Sequence, residues 1–141
     1  MRLFIDTGPI VARHNKEDYH HNQANATLDK IASGKTSYTK LYTSDYIIDE
    51  SITVCRSRTH SHAQAIDLGE AILHSKSIVL LKVEERIFSR AWELFKERKE
   101  VELSFTDCTS ATLAKTNGII DIYTYDRHDF RALGFNTISE L

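Results

Sequence analysis

Apolar residues fall along this chain in short runs that alternate with stripes at helical spacing. Leu3-Phe4-Ile5 is a compact apolar run that meets Asp6-Thr7-Gly8-Pro9, whose composition predicts a turn. Over 18–33, Ala24, Leu28, Ile31 and Ala32 share one helical face, and Gly34 follows as a stop. Leu41-Tyr42-Thr43 predicts a short strand, and Ser44 predicts an N-cap for a helix through Ile47, Ile48, Ile52 and Cys55. A helix is expected over 62–74, where Ala65, Ile66, Gly69, Ile72 and Leu73 recur at helical spacing. Ile78-Val79-Leu80-Leu81 has the continuous apolar character of a buried strand. The strongest helical pattern covers 84–99, with Ile87, Phe88, Ala91, Trp92, Leu94 and Phe95 on its apolar side. Trp92 is expected in the core. Acids lead that segment and bases gather at its end, which complements the helix dipole. Thr106 is positioned to cap a helix over 107–117 closed by Gly118, and strands follow at 119–124 and at Thr137-Ile138.

Strands alternating with helices imply an α/β fold, a parallel sheet covered on both faces. The 141 residues suit a single domain over 1–141, and one proline and no low-complexity stretch leave no linker to divide it. No run of about 20 apolar residues is present, so no membrane span is expected. The first residues lack a signal-peptide apolar region, and Cys55 and Cys108 make no disulfide framework. A cytoplasmic chain with reduced, buried thiols is the expectation.

Ligands of such sheets collect outside the carboxyl ends of the strands. Asp6 directly follows the first apolar run, Asp126 follows Ile122-Tyr123-Thr124-Tyr125, and Asp107 opens a helix, where the dipole favours its ionised form. Glu50 falls at the edge of the apolar stripe of its helix, beside Ile47 and Val54, while Asp49 points further out. A single aspartate after a strand is ordinarily a turn or cap residue. Four acids, three of them beside hydroxyl residues and at strand or helix ends, alter that reading, because converging carboxylates repel one another unless a cation sits among them. Hard oxygen ligands select Mg²⁺ or Mn²⁺, ions suited to phosphodiester hydrolysis. Thr7, Ser104, Thr106 and Thr124 stand beside the acids, where a hydroxyl can orient a carboxylate or a water.

The formal net charge of −2 excludes nucleic-acid binding through a global positive field but not through local cations. Arg13 with Lys16, Arg56 with Arg58, and Arg127 with Arg131 are the local clusters. Arg13, Lys16, Arg127 and Arg131 flank the first and last acids and are candidates for holding an RNA backbone, with a solvated surface as the plain alternative. Adjacent His20 and His21 face different sides of a helix and suit a shared zinc poorly, while His14 and His128 read as exposed loop residues near the cleft.

The ordered set of motifs resembles the PIN-domain family, and within it the VapC-type toxins. The matching elements are Leu3-Phe4-Ile5-Asp6-Thr7, the helix start Thr43-Ser44-Asp45-Tyr46-Ile47-Ile48-Asp49-Glu50, the element Ser104-Phe105-Thr106-Asp107, and Thr124-Tyr125-Asp126 leading to Phe130 and Leu133-Gly134-Phe135. The resemblance spans nearly the whole chain. It implies a five-stranded parallel sheet between helical layers and a Mg²⁺- or Mn²⁺-dependent endoribonuclease that leaves 5′-phosphate and 3′-hydroxyl ends. It further implies a homodimer and an antitoxin protein partner. Asp129 is close enough to Asp126 to assist or replace it. A phosphatase of the haloacid dehalogenase type is disfavoured because Gly8 stands where a second aspartate is required. An RNA-processing nuclease outside a toxin system, or a silent binding scaffold of the same fold, remains compatible with these residues.

Overall fold

The computed structural model describes residues 1–141. In chain order the elements are β1 (Arg2–Ile5), α1 (Thr7–His14), α2 (His21–Ala32), β2 (Lys40–Ser44), α3 (Asp45–Thr59) and α4 (His62–Leu73). They continue with β3 (Ile78–Leu81), α5 (Glu85–Glu97), α6 (Phe105–Thr116), β4 (Asp121–Tyr123), α7 (Arg127–Ala132) and β5 (Asn136–Ile138). The five strands form one sheet in the order β3-β2-β1-β4-β5, and every neighbouring pair is parallel. Right-handed crossovers place α1 to α4 on one face and α5 to α7 on the other, in keeping with the packing of α3 on α4 and of α5 on α6. No helix is long and apolar enough to cross a membrane.

β1 lies at the centre, and Leu3, Phe4 and Ile5 are buried, which explains their unbroken apolar run. The register pairs Phe4 with Tyr42 on one side and with Ile122 on the other. The fold is thus the expected single-domain α/β/α sandwich. Cys55 and Cys108 are both buried and unpaired, and burial pushes the Cys108 thiol up to about 11, so neither is an activated thiolate.

Four local expectations are corrected. Asp6-Thr7-Gly8-Pro9 is not a turn: Asp6 is the N-cap of α1 and Pro9 sits in its first turn, where the missing N–H has no helical partner to lose. Ser104, not Thr106, caps α6; its hydroxyl accepts from the Asp107 N–H while the Asp107 carboxylate accepts from the Ser104 N–H, a reciprocal capping box. A short helix, α7, follows Asp126 where no helix was expected. Trp92 is not core: it is 47 % exposed, as Phe88 and Phe95 are at 45 % and 41 %. One helix stripe cannot bury all six positions. Ile87 and Ala91 take the buried line of α5, and the three aromatics stand beside it around Phe105.

Candidate functional site

The strand order reverses at the β1–β4 pair. From β1 the chain steps outward through β2 to β3, then returns to the far side of β1 as β4. Connections leaving these two neighbours therefore go to opposite faces, which opens a crevice at their carboxyl ends. Asp6 follows β1 there, and Thr124 to Asp126 follow β4. α3 and α6 bring Glu50 and Asp107 to the same place. Asp6, Glu50, Asp107 and Asp126 line one cavity of about 500 Å³, together with Thr7, Gly8, Val11, Val54, Arg58 and Tyr125.

Each acid reaches the cavity for a local reason. The Asp6 N–H donates to Tyr123 O (3.0 Å), continuing the sheet, and its side chain, although at an N-cap position, makes no capping bond. It instead accepts from Thr124 Oγ1 at 2.7 Å. The same Thr124 oxygen accepts from the Asp126 N–H at 3.0 Å, so one buried hydroxyl spaces the first and last acids. Asp107 is steadied by the capping box with Ser104. Glu50 rides on α3, which Ser44 caps by accepting from the Ile47 N–H, and neighbouring Asp49 faces solvent. Gly8 lets Tyr125 close over the start of α1: a Cβ there would stand 2.9 Å from Tyr125 Cδ2.

The electrostatics are unfavourable for bare carboxylates. Burial pushes the Asp6 carboxyl up to about 6, opposed by the hydrogen bonds from Thr124 and the Thr7 backbone and reinforced by the Glu50 and Asp126 charges. Asp107 is also pushed up to about 6, by burial first and the Asp6 charge second. Asp126 is raised by desolvation and then by the charges of Asp129 and Asp107. Thr7 lines this cavity, and its Oγ1 is buried with no hydrogen-bond partner. No three His, Cys, Asp or Glu side chains close on one point tightly enough to hold a metal by themselves. Carboxylate oxygens are hard ligands of the kind divalent cations take, and such a cation can keep waters of its own in place of further side chains. Asp121 offers a contrast. It is buried at the opposite, amino edge of β4 and is satisfied by Tyr38 Oη (3.1 Å) and Asn136 Nδ2 (3.0 Å), a structural role.

The remaining candidates separate by position. Asp129 lies close enough to raise Asp126 but does not line the cavity. Thr106 makes no hydrogen bond to an acid; only its carbonyl is used, accepting from Thr109 Oγ1. Arg127 and Arg131 reach back to Thr137 Oγ1 at 3.5 and 3.0 Å and are outside the cavity. Arg13 and Lys16 line a second cavity of about 590 Å³ with no hydrophobic residue in its wall, where Arg13 is also held by Asp29 at 2.9 Å. His14 lines this second cavity too; it ends α1 half-buried, with Nδ1 against Ile10 O, and is not an exposed loop residue. Arg58 borders both cavities. Its place was readable as the i, i+4, i+8 line of Glu50, Val54 and Arg58 on α3. Tyr125 carried no such signal, because its contact with the site depends on Gly8.

Comparison with known proteins identifies relatives of this chain. The 23S rRNA-specific endonuclease VapC20 of Mycobacterium tuberculosis is 29% identical over 133 residues, covering 94% of this chain and 95% of that protein. Its crystal structure, described as that of a sarcin–ricin loop cleaving toxin, superposes with a TM-score of 0.81 at 28% identity, over 94% of this chain and 95% of that one. VapBC2 from Rickettsia felis, bound to a promoter DNA fragment, shares the fold with a TM-score of 0.70 at 14% identity, covering 98% of each chain. Residues 3–136 match the PIN domain family, and this chain therefore belongs to that family.

Proposed function

We propose that this protein is a metal-dependent endoribonuclease that hydrolyses RNA phosphodiester bonds, and that it acts in the cytoplasm as the toxin of a type II pair restrained by an antitoxin protein. The observation that carries the reading is the gathering of Asp6, Glu50, Asp107 and Asp126 around one cavity at the strand-order reversal. The similarity to a ribosomal RNA endonuclease described as a toxin supports the substrate class and the toxin role.

The donor set fits a hard divalent cation: the acids are desolvated and mutually repelling, and Thr7, whose buried hydroxyl has no partner, lines the same cavity. Asp6, Glu50, Asp107 and Asp126 would hold Mg²⁺ or Mn²⁺, with Asp129 behind Asp126. When bound, the ion polarises the phosphate, lowers the pKa of a water and stabilises the leaving oxygen. The chain's own residues orient the parts. Thr124 fixes Asp6, Ser104 fixes Asp107, and Arg58, Lys16 and Arg13 lie where they can hold the strand by its phosphates. Arg127 and Arg131, held on Thr137, are the weaker candidates for that contact.

The test is cleavage of a ribosomal RNA fragment and of a mixed RNA pool by the purified protein with magnesium or manganese, with end-group analysis of the products. Products with 5′-phosphate ends are expected. RNA left intact under every metal condition would overturn the reading. Thr124→Val should lower cleavage about 10- to 100-fold by freeing Asp6, as loss of outer-shell partners typically does, while Thr124→Ser keeps most of it. Equal activity of Thr124→Val and wild type would remove that role.

The same proposal includes a homodimer. Phe88, Trp92 and Phe95 form an exposed aromatic line on α5, a surface of the kind that marks association sites. Light scattering at micromolar concentration should give a dimer, and Trp92→Glu should shift it to monomer. A monomeric wild type would refute it.

A further inference from the structure

A column of aromatic rings rises from the wall of the acidic cavity, and nothing in the chemistry described so far uses it. Tyr125 lines the cavity. Its hydroxyl meets Tyr123 Oη at 3.3 Å, and Gly8 beneath its ring leaves no room for a larger residue. The His20 imidazole stacks on Tyr125 with centroids 3.9 Å apart and planes at 17°. Tyr19 packs edgewise on His20 at 4.9 Å and is otherwise bare, 95% exposed.

The loop that carries Tyr19 is closely tied. The Asn15 side chain accepts from the Glu17 N–H at 3.1 Å, and the Asp18 side chain accepts from the His20 N–H at 2.8 Å. The Asp18 carbonyl accepts from the His21 N–H at 3.0 Å, and Asp18 also faces Arg58 at 3.8 Å. A ring this exposed contributes almost nothing to the core, yet its backbone is held in place. Its surroundings have the chemistry of a nucleotide site. Tyr125 shares the acidic cavity with Arg58, and the adjoining cavity, which Arg58 lines with Arg13, Lys16, Glu17 and Asp67, has no apolar side chain to seat a hydrophobic peptide.

We propose that Tyr19, supported by His20 and Tyr125, is the stacking platform for a base flanking the scissile phosphate. This rests on the ribonuclease reading and adds to it the way the strand is held. Stacking is sequence-tolerant, because every base has a π face. Tyr19 thus contributes grip and register rather than base identity.

The test begins by mapping the cleavage position with wild-type protein. Single-stranded RNA carrying a fluorescent purine analogue, placed at successive positions around that point, is then bound to full-length Asp6→Asn protein. One flanking position should be quenched on binding. Adding Tyr19→Ala should relieve the quenching and weaken RNA binding about 5- to 100-fold, and Tyr19→Trp should restore both. An RNA abasic at that position should bind the two proteins equally. In otherwise wild-type protein, Tyr19→Ala should raise KM with little change in kcat. Unchanged quenching and affinity in Tyr19→Ala would overturn the platform while leaving the nuclease intact. Wild-type protein that cleaves no RNA would overturn the nuclease reading and the platform with it. Tyr19 is on the surface, so thermal melts of the variants should match their parents.

Discussion

Asp6→Asn is expected to lower RNA cleavage at least about a hundredfold while leaving the protein folded, the size of loss typical when one transition-state contact is removed. The amide keeps the shape of the carboxylate and can still accept from Thr124 Oγ1, now at 2.7 Å from Asp6. What it removes is a negative charge beside Glu50, Asp107 and Asp126, so a cation is held less tightly and an attacking water is less activated. Without metal the same change should stabilise the fold. Burial and neighbouring charge push the Asp6 carboxyl from 3.8 up to about 6, so its ionisation at neutral pH costs on the order of 3 kcal/mol at about 1.36 kcal/mol per pKa unit. Parallel cleavage assays and metal-free thermal melts check both halves. Equal cleavage by the two proteins would take Asp6 out of catalysis, and a variant that melts at room temperature would make Asp6 a structural residue.

Chelation is expected to abolish cleavage and to expose a characteristic dependence of stability on pH. Asp6 and Asp107 have folded pKa values raised to about 6 from an ordinary 3.8. Between those values the folded state holds more protons than the unfolded state, so stability falls as pH rises. Their stabilisation is fully present below about 3.8 and is lost as pH climbs through about 6. His14 acts in the opposite direction below its ordinary 6.5, because burial lowers its pKa. The decisive measurement is therefore the difference between wild type and Asp6→Asn across pH 4 to 7 in chelator, about 4 and about 7 being the ends of the titration. That difference should grow with pH and shrink when magnesium is added. Cleavage that persists undiminished in chelator would refute the metal mechanism. A difference between the two proteins that does not change with pH would show that Asp6 is not held in the desolvated, repelling environment described above.

Much of the fold was legible in the chain because it depends on local pattern. The Leu3-Phe4-Ile5 run reads as a short strand and is one, whereas Ile78-Val79-Leu80-Leu81 reads as buried but lies half-covered at the sheet edge, because an apolar run does not say which strands flank it. Ser44 reads as a cap and caps α3. The start of α1 was misread because aspartate, threonine, glycine and proline serve turns and helix N-termini alike, and only the continuing sheet bond from Asp6 N–H to Tyr123 O places the chain for a helix. Trp92 was misplaced because a wide apolar stripe says which face turns inward, not how many of its side chains the neighbouring layer can cover. Arg127 and Arg131 follow an acid in sequence, but α7 turns them toward Thr137.

The sequence by itself determined the alternation of strands and helices and the identity of the acids, since these follow from periodicity, capping and turn chemistry within a few residues. Tertiary structure alone decided that residues as far apart as Asp6 and Asp126 share one cavity, that Thr124 spaces them, and that Tyr125 closes over Gly8 to carry His20. The physical reason is the strand order. The chain leaves β1 in one direction and returns on its other side as β4, and that reversal brings four separate elements to one edge of the sheet.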